Sequence, residues 1–251
     1  MDTAEAGRMK RALAAVAVVG LAAGAATLAR SQAQPQRGSF ADDFDAGLCV
    51  GNCPGAPWAI KQEVRGTVRT APAPGRPGQA LLARAAAKTS GVAKADLVAR
   101  LAPLPPGTRI TIVFDLRVPA STPLDSLQLV DLECAACGEA GNPGIRLYLR
   151  RGRLRIDRSK IGIQHAWTRD DAQTLSHDRW HRITWQVHLG AGDDGQTRVT
   201  LDGNEVLSAR GATLASLPRL AADRVQIGIT ANSNPVSATA WFDNVRVTVV
   251  R

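Results

Sequence analysis

The chain has 251 residues, a length that suits one large β-sandwich or two small domains. Hydrophobic residues make up 45%, and glycine and proline are scattered between short apolar runs, which excludes a disordered or low-complexity chain. The formal net charge of +9 is carried almost wholly by arginine; a basic surface attracts anionic polysaccharide, envelope or nucleic acid but specifies none of them.

At the N-terminus the basic cluster Arg8, Lys10 and Arg11 precedes the uncharged apolar run Ala12 to Ala29 and then Ser31-Gln32-Ala33. This order predicts a helical secretory signal peptide over 1–33, with Met9 as an alternative natural start. An uncleaved anchor is the competing reading, since the run approaches the ~17–25 residues that span a bilayer. The Ala-rich make-up and the Ser-x-Ala site favour cleavage, leaving no stable membrane span and a secreted or periplasmic protein for which nucleic acid is disfavoured as a partner. Removing 1–33 takes away four cations and two anions and leaves +7.

A linker over 34–38 leads into a predicted domain over 39–251, in which apolar residues recur with period two. Ile110, Ile112, Phe114, Leu116 and Val118 alternate with Thr111, Asp115 and Arg117. Arg151-Gly152 predicts a two-residue hairpin turn that pairs Arg150 with Arg153, Leu149 with Leu154, Tyr148 with Arg155, Leu147 with Ile156 and Arg146 with Asp157. One hairpin face is then apolar, and the other carries Arg146, Tyr148, Arg150, Arg153 and Arg155. The runs Ile183/Trp185/Val187, Val225/Ile227/Ile229 and Val245/Val247/Val249 repeat the alternation, and Asp202-Gly203-Asn204 predicts a second hairpin turn. No segment after the signal shows a helical period. In an exported protein Cys49, Cys53, Cys134 and Cys137 are disulfide candidates, and all three pairings are open.

Phe40-Ala-Asp-Asp-Phe44-Asp with Pro57-Trp58, then Trp180-His-Arg-Ile-Thr-Trp185-Gln-Val before Gly195-Gln-Thr-Arg-Val-Thr-Leu201-Asp-Gly203, then Trp241-Phe242-Asp243-Asn244-Val245-Arg-Val247 stand in an informative order. Together they resemble the concanavalin A-like lectin/glucanase superfamily, above all its laminin-G-like and polysaccharide-lyase-like members. The resemblance implies an all-β, two-sheet antiparallel jelly-roll sandwich in which Trp58, Trp180, Trp185 and Trp241 are core candidates. It carries little about function.

Glucan hydrolases of that superfamily bear a Glu-x-Asp-x-Glu strand, because two carboxylates must flank one glycosidic bond. Here Asp131-Leu132-Glu133 supplies half of it, and Leu129 stands where the nucleophile belongs, which argues against hydrolysis. Alginate-lyase-like members carry an Arg-x-Glu strand, a Gln-x-His pair and a late tyrosine; here Gln164 and His165 are adjacent and Tyr148 is the only tyrosine. A lyase assembled from this chain would draw on His165, His188 and Tyr148. The glycan-binding candidates are Arg146, Tyr148, Arg150, Arg153 and Arg155, able to receive carboxylates, with Trp167 in an irregular segment as a stacking platform. The competing reading of that hairpin face is a solvated surface. Asp43 and Asp243 are the candidate pair for a structural calcium ion between the first and last strands, the alternative being carboxylates that end strands and form turns. No other cofactor is required. The leading expectation is an exported lectin-like sandwich binding an anionic polysaccharide; the alternatives are a polysaccharide lyase acting by β-elimination on a uronate-containing glycan, and a non-catalytic envelope domain.

Overall fold

The structure is a computed structural model that describes residues 38–138, 141–217 and 220–251. The predicted signal segment 1–33, Met9 included, lies outside the described residues, as does the 34–38 linker apart from Gly38. Among the described residues the elements are β1 (Phe40–Asp42), β2 (Ile60–Val64), β3 (Gly66–Pro72), β4 (Gln79–Ala85), β5 (Ala93–Leu104), β6 (Arg109–Arg117), β7 (Leu127–Glu133), β8 (Gly144–Arg150), β9 (Arg153–Asp157), β10 (His181–His188), β11 (Gln196–Leu201), β12 (Asn204–Arg210), β13 (Ala222–Asn232) and β14 (Ala238–Val250), with one 3-10 turn at Ser159–Ile161.

Two antiparallel sheets result, the jelly-roll sandwich that the alternation and the resemblance predict. One runs β12-β11-β10-β6-β14-β4-β3, with β14 pairing β6 along one edge and β4 and then β1 along the other; the second runs β2-β5-β13-β7-β8-β9. Period-two alternation places every second side chain between the sheets. Ile110, Ile112 and Phe114 of β6 lie opposite Val187, Trp185 and Ile183 of β10, and all are buried against Ile227 and Ile229 of β13 and Leu147 and Leu149 of β8 in one apolar core.

The β8–β9 hairpin has the predicted register, residue for residue. Arg151 and Gly152 both take positive φ, 52° and 73°, the turn whose twist matches its flanking strands. Asp202 and Gly203 repeat this geometry between β11 and β12. Each cysteine cluster closes on itself, Cys49 with Cys53 and Cys134 with Cys137, at Cα separations of 6.0 and 5.5 Å that suit a disulfide.

Trp58 and Trp185 are fully buried, whereas Trp180 and Trp241 are only half-buried and leave the core expectation unmet. The reason for Trp241 is phase. Its neighbours Ala240 and Phe242 face inward, so Trp241 faces outward. A bulge between Asp243 and Arg246, with Asn244 at φ 49°, then lets Val245 turn inward three residues after Phe242. Trp180 precedes β10; its ring is covered by the Arg76 guanidinium at 3.6 Å and its Nε1–H donates to the Pro74 carbonyl. Phe114, packed at 5.9 Å from the Phe242 ring, tests the core. Phe114→Ala is expected to lower the unfolding free energy by about 3–5 kcal/mol in urea titrations.

Candidate functional site

The outward face of the six-stranded sheet is where polar chemistry collects. Alternation turns Arg146, Tyr148 and Arg150 of β8 and Arg153, Arg155 and Asp157 of β9 to that face, because their neighbours Ile145, Leu147, Leu149, Leu154 and Ile156 fill the core. A bulge in β7 between Gln128 and Val130 buries Leu129 and Val130 together, and so sets Gln128, Asp131 and Glu133 beside β8. Strand pairing then builds two rows across the sheet. Gln226, Asp131, Arg146 and Asp157 stand in one, and Gln128, Tyr148 and Arg155 in the next.

The part of this face around Asp131, which takes in neighbours from the rows on either side, is unusual in being charged and dry. Asp96 of β5, Asp131 and Glu133 are exposed by 0%, 1% and 1% although they face away from the core. Desolvated carboxylates need cations and donors, and these are present. The Lys160 ammonium pairs with Glu133 and lies 3.8 Å from Asp131; Arg224 Nε stands 3.5 Å from Glu133. Gln226 Nε2 donates to Glu133, and Thr230 Oγ1 donates to Asp131 at 2.7 Å. Gln62, its amide oriented by its partners, donates to Asp96 Oδ1 at 3.1 Å and to Gln226 Oε1 at 3.0 Å. Gly228, at φ +140°, stands opposite Asp96, and a Cβ there would come within 2.5 Å of the Ala95 carbonyl oxygen and 2.7 Å of the Asp96 Cα, so glycine lets β13 approach β5 closely at this point.

Burial pushes the Asp96 carboxyl up to about 8, with Asp131 and Glu133 adding to the rise and Lys94 and Arg224 opposing it. Asp131 is also raised, by burial first and then by Glu133, against the pull of Lys160 and Arg146. Arg146 is held rigidly: its guanidinium pairs with Asp157 and donates to Ser159 Oγ at 2.9 Å and to Gln128 Oε1 at 3.1 Å.

Around Tyr148 the balance reverses. Its cross-strand neighbour is Arg155, and Arg146 and Arg150 flank it two residues away on the same face. Burial raises the phenol, while the charges of Arg155 and Arg150 work against that rise. Arg155 reaches Asp170 at 3.0 Å, an exposed carboxylate, and among the described residues Arg150 and Arg153 form no salt bridge. The Nε–H groups of Arg146, Arg153 and Arg155 are buried without an acceptor. A half-buried phenol beside guanidiniums that form no ion pair, as with Arg150 and Arg153, can bind a carboxylate and move a proton beside it.

The other predicted residues do not join this group. Trp167 pairs with Ile156 as an isolated bridge, and directly paired residues project to one face, so its ring packs toward the core under the Arg158 guanidinium at 3.8 Å. It is thus on the other side of the sheet from Tyr148. His188 lies on the outward face of the other sheet, its Nδ1 bonded to the Asp194 carbonyl at 2.8 Å. Alternation along β10, whose inward positions are Ile183, Trp185 and Val187, puts it there, and the sandwich separates it from Tyr148. His165 is exposed on the loop after β9, where its carbonyl accepts from Arg158.

The two candidate calcium residues are each engaged by other groups. Asp243 pairs with Arg76, while exposed Asp43 accepts from the Asp45 backbone N–H. A cation brought to Asp243 would compete with a guanidinium already in place, and among the described residues no group of three or more His, Cys, Asp or Glu side chains is placed to hold a metal. Sequence reading also missed Gln62, Asp96, Lys160, Arg224, Gln226 and Thr230. The available signal was a polar side chain inside an apolar strand, as with Asp96 between Ala95 and Leu97 or Gln226 between Val225 and Ile227.

The fold and this face together define a jelly-roll sandwich with a basic, tyrosine-bearing surface beside a cluster of buried acids. Residues 83–246 match the family described as polysaccharide lyase, and the chain belongs to that family. Among solved structures it is similar to endo-β-1,4-glucuronan lyase from the fungus Trichoderma reesei (17% identity, TM-score 0.63, covering 83% of this chain and 94% of that one). It is also similar to alginate lyase Aly36B (11%, 0.59, 86% and 99%) and to the cellulose induced protein Cip1 (13%, 0.59, 84% and 96%). At these identities the likeness shows the fold. A search of curated proteins finds no sequence that matches this chain. Among the described residues no helix is long and apolar enough to cross a membrane.

Asp96 makes stability depend on pH in a definite direction. Its folded-state value lies above the ordinary carboxyl range, so between about 4 and about 8 the unfolded chain gives up this proton and the folded chain keeps it. Stability from this group is therefore full below that window and falls as pH rises through it. Asp96→Asn is expected to raise the melting temperature at pH 8–9 by several degrees, with little change at pH 4, as read by thermal unfolding across pH.

Proposed function

We propose that the protein is a polysaccharide lyase that cleaves a uronate-containing polysaccharide by β-elimination on the outward face of the six-stranded sheet, and that it works outside the cytoplasm. One observation carries this reading: the only tyrosine of a chain in the polysaccharide lyase family stands between Arg146, Arg150 and Arg155 on that face. Family membership favours the lyase over the lectin-like reading that charge and resemblance put first. The glucuronan and alginate lyases of like fold support a polyuronate as the substrate class.

The arginines supply charge neutralisation. A guanidinium on the uronate carboxylate lowers the cost of the carbanion that forms when the adjacent C5 proton leaves. Arg150 and Arg153, which form no ion pair among the described residues, fill this role, and Arg155, whose partner Asp170 is exposed, stands beside them. Arg146, held by Asp157, Ser159 and Gln128, is the rigid edge against which a sugar is oriented. Tyr148 is the proton-transfer group. As phenolate it takes the C5 proton, and as phenol it passes that proton to the departing glycosidic oxygen while the C4–O bond breaks and a C4=C5 double bond forms, so that the phenolate is regenerated. Neither His165 nor His188 has a part in this scheme.

Lyase action is read directly by incubating the protein with acidic and neutral polysaccharides and following ultraviolet absorbance of the unsaturated uronate together with co-sedimentation. Rising absorbance with a polyuronate is expected, and Tyr148→Phe should lower it by about 10²-fold or more while retaining co-sedimentation. Binding without new absorbance for the unaltered chain would return the protein to the lectin-like reading, and silence in both channels to the envelope-domain one.

The reaction should also have an alkaline profile. Burial raises the Tyr148 phenol, so the phenolate is scarce at neutral pH and grows as pH rises. Accordingly kcat/KM should climb by up to about tenfold per pH unit toward the tyrosine range. A profile flat from pH 6 to 9 would remove Tyr148 from the role of base.

A further inference from the structure

The opposite face of the sandwich holds a second polar surface that the lyase reading does not use. A groove of about 600 Å³ crosses the outward face of β6, β10, β11 and β12. Strand pairing sets Arg109 beside His188, His188 beside Gln196, and Gln196 beside Arg210, so these four form one row running across the strands. At the ~4.8 Å spacing of neighbouring strands, the two guanidiniums that end the row are anchored about 14 Å apart.

The row is chemically unspent. Among the described residues Arg109 and Arg210 take part in no ion pair, and both are exposed. His188 is fixed through Nδ1 by the Asp194 carbonyl, which leaves Nε2 as its free polar atom. By contrast, Arg198 in the adjacent row is neutralised by Glu205 at 2.7 Å. The cationic ends are therefore separated by hydrogen-bonding side chains.

We propose that this groove is a second, non-catalytic binding site for an anionic polysaccharide, lying across the strands of the eight-stranded sheet. A single small anion satisfies one end of the row. A linear polymer with a carboxylate on successive sugars satisfies both, while its hydroxyls meet Gln196 and His188. Since Tyr148 is on the other side of the molecule, the groove tethers the protein to its polymer and raises the local substrate concentration at the other face. The proposal rests on the polyuronate reading of the protein.

The test uses the full chain carrying Tyr148→Phe, run through native gels with and without a soluble polyuronate. Adding Arg109→Ser and Arg210→Ser is expected to weaken retardation by about tenfold, and adding Arg150→Ser and Arg155→Ser as well should abolish it. In the otherwise unaltered enzyme the Arg109/Arg210 pair should raise KM on polymer and leave turnover of short oligomers unchanged. If Arg109→Ser/Arg210→Ser migrates like its parent while Arg150→Ser/Arg155→Ser alone abolishes retardation, the second site is overturned and the polyuronate reading stands. A parent that no polyuronate retards overturns both.

Discussion

A carboxyl group that has lost its water is tolerated only where a retained proton, a cation or a hydrogen-bond donor offsets its charge, and three such groups lie near one another on the outward face of the six-stranded sheet. Asp96, Asp131 and Glu133 dictate where Lys160, Arg224, Gln226, Thr230 and Gln62 must stand. Removing one partner from a buried pair strands the other, at a cost of roughly 3–5 kcal/mol. This cluster therefore ties β5, β13 and β7 together and anchors the turn after β9 through Lys160. The arginines and tyrosine beyond it are displayed on a platform that cannot easily shift.

The same face shows how acidic and basic chemistry divide from one edge of the sheet to the other. Toward β5 and β13 the carboxylates are dry and internally satisfied. Toward β9 the guanidiniums keep buried Nε–H groups without acceptors, and Tyr148 is only half covered. Arg146 links the two regions, tied to Asp157 and Ser159 on one side and to Gln128 on the other. Preorganisation of this kind is what charge neutralisation in a transition state requires, because no binding energy is then spent on ordering the cations.

The strand irregularities are part of this design. The β7 bulge changes which residues face outward, so that Gln128, Asp131 and Glu133 share a face with β8. The β14 bulge sends Asp243 and Asn244 to a separate cluster, in which Asp115 accepts from Arg76, Arg182 and Asn244. That cluster uses Asp243 to hold arginine.

Local periodicity by itself determined the all-β class, the faces of β6, β10 and β13, the Arg151-Gly152 turn and the full register of the hairpin carrying Tyr148, since these follow from alternation and from the φ values that a short turn demands. The placement of Trp241 was legible in principle, but alternation names two phases and only the packing of Phe242 selects between them. What tertiary structure alone decided was the company each side chain keeps. His188 and Tyr148 look equally available in the chain, yet the sandwich puts them on opposite surfaces, and Trp167 turns inward because it pairs with Ile156. Asp96 and Glu133 are 37 positions apart and meet through β13, which lies between their strands. A single polar residue in an apolar strand, such as Asp96, is visible in the chain, but the grouping of these buried acids is not, because the interactions that make it bearable come from strands whose order in the sheet is not their order in the chain.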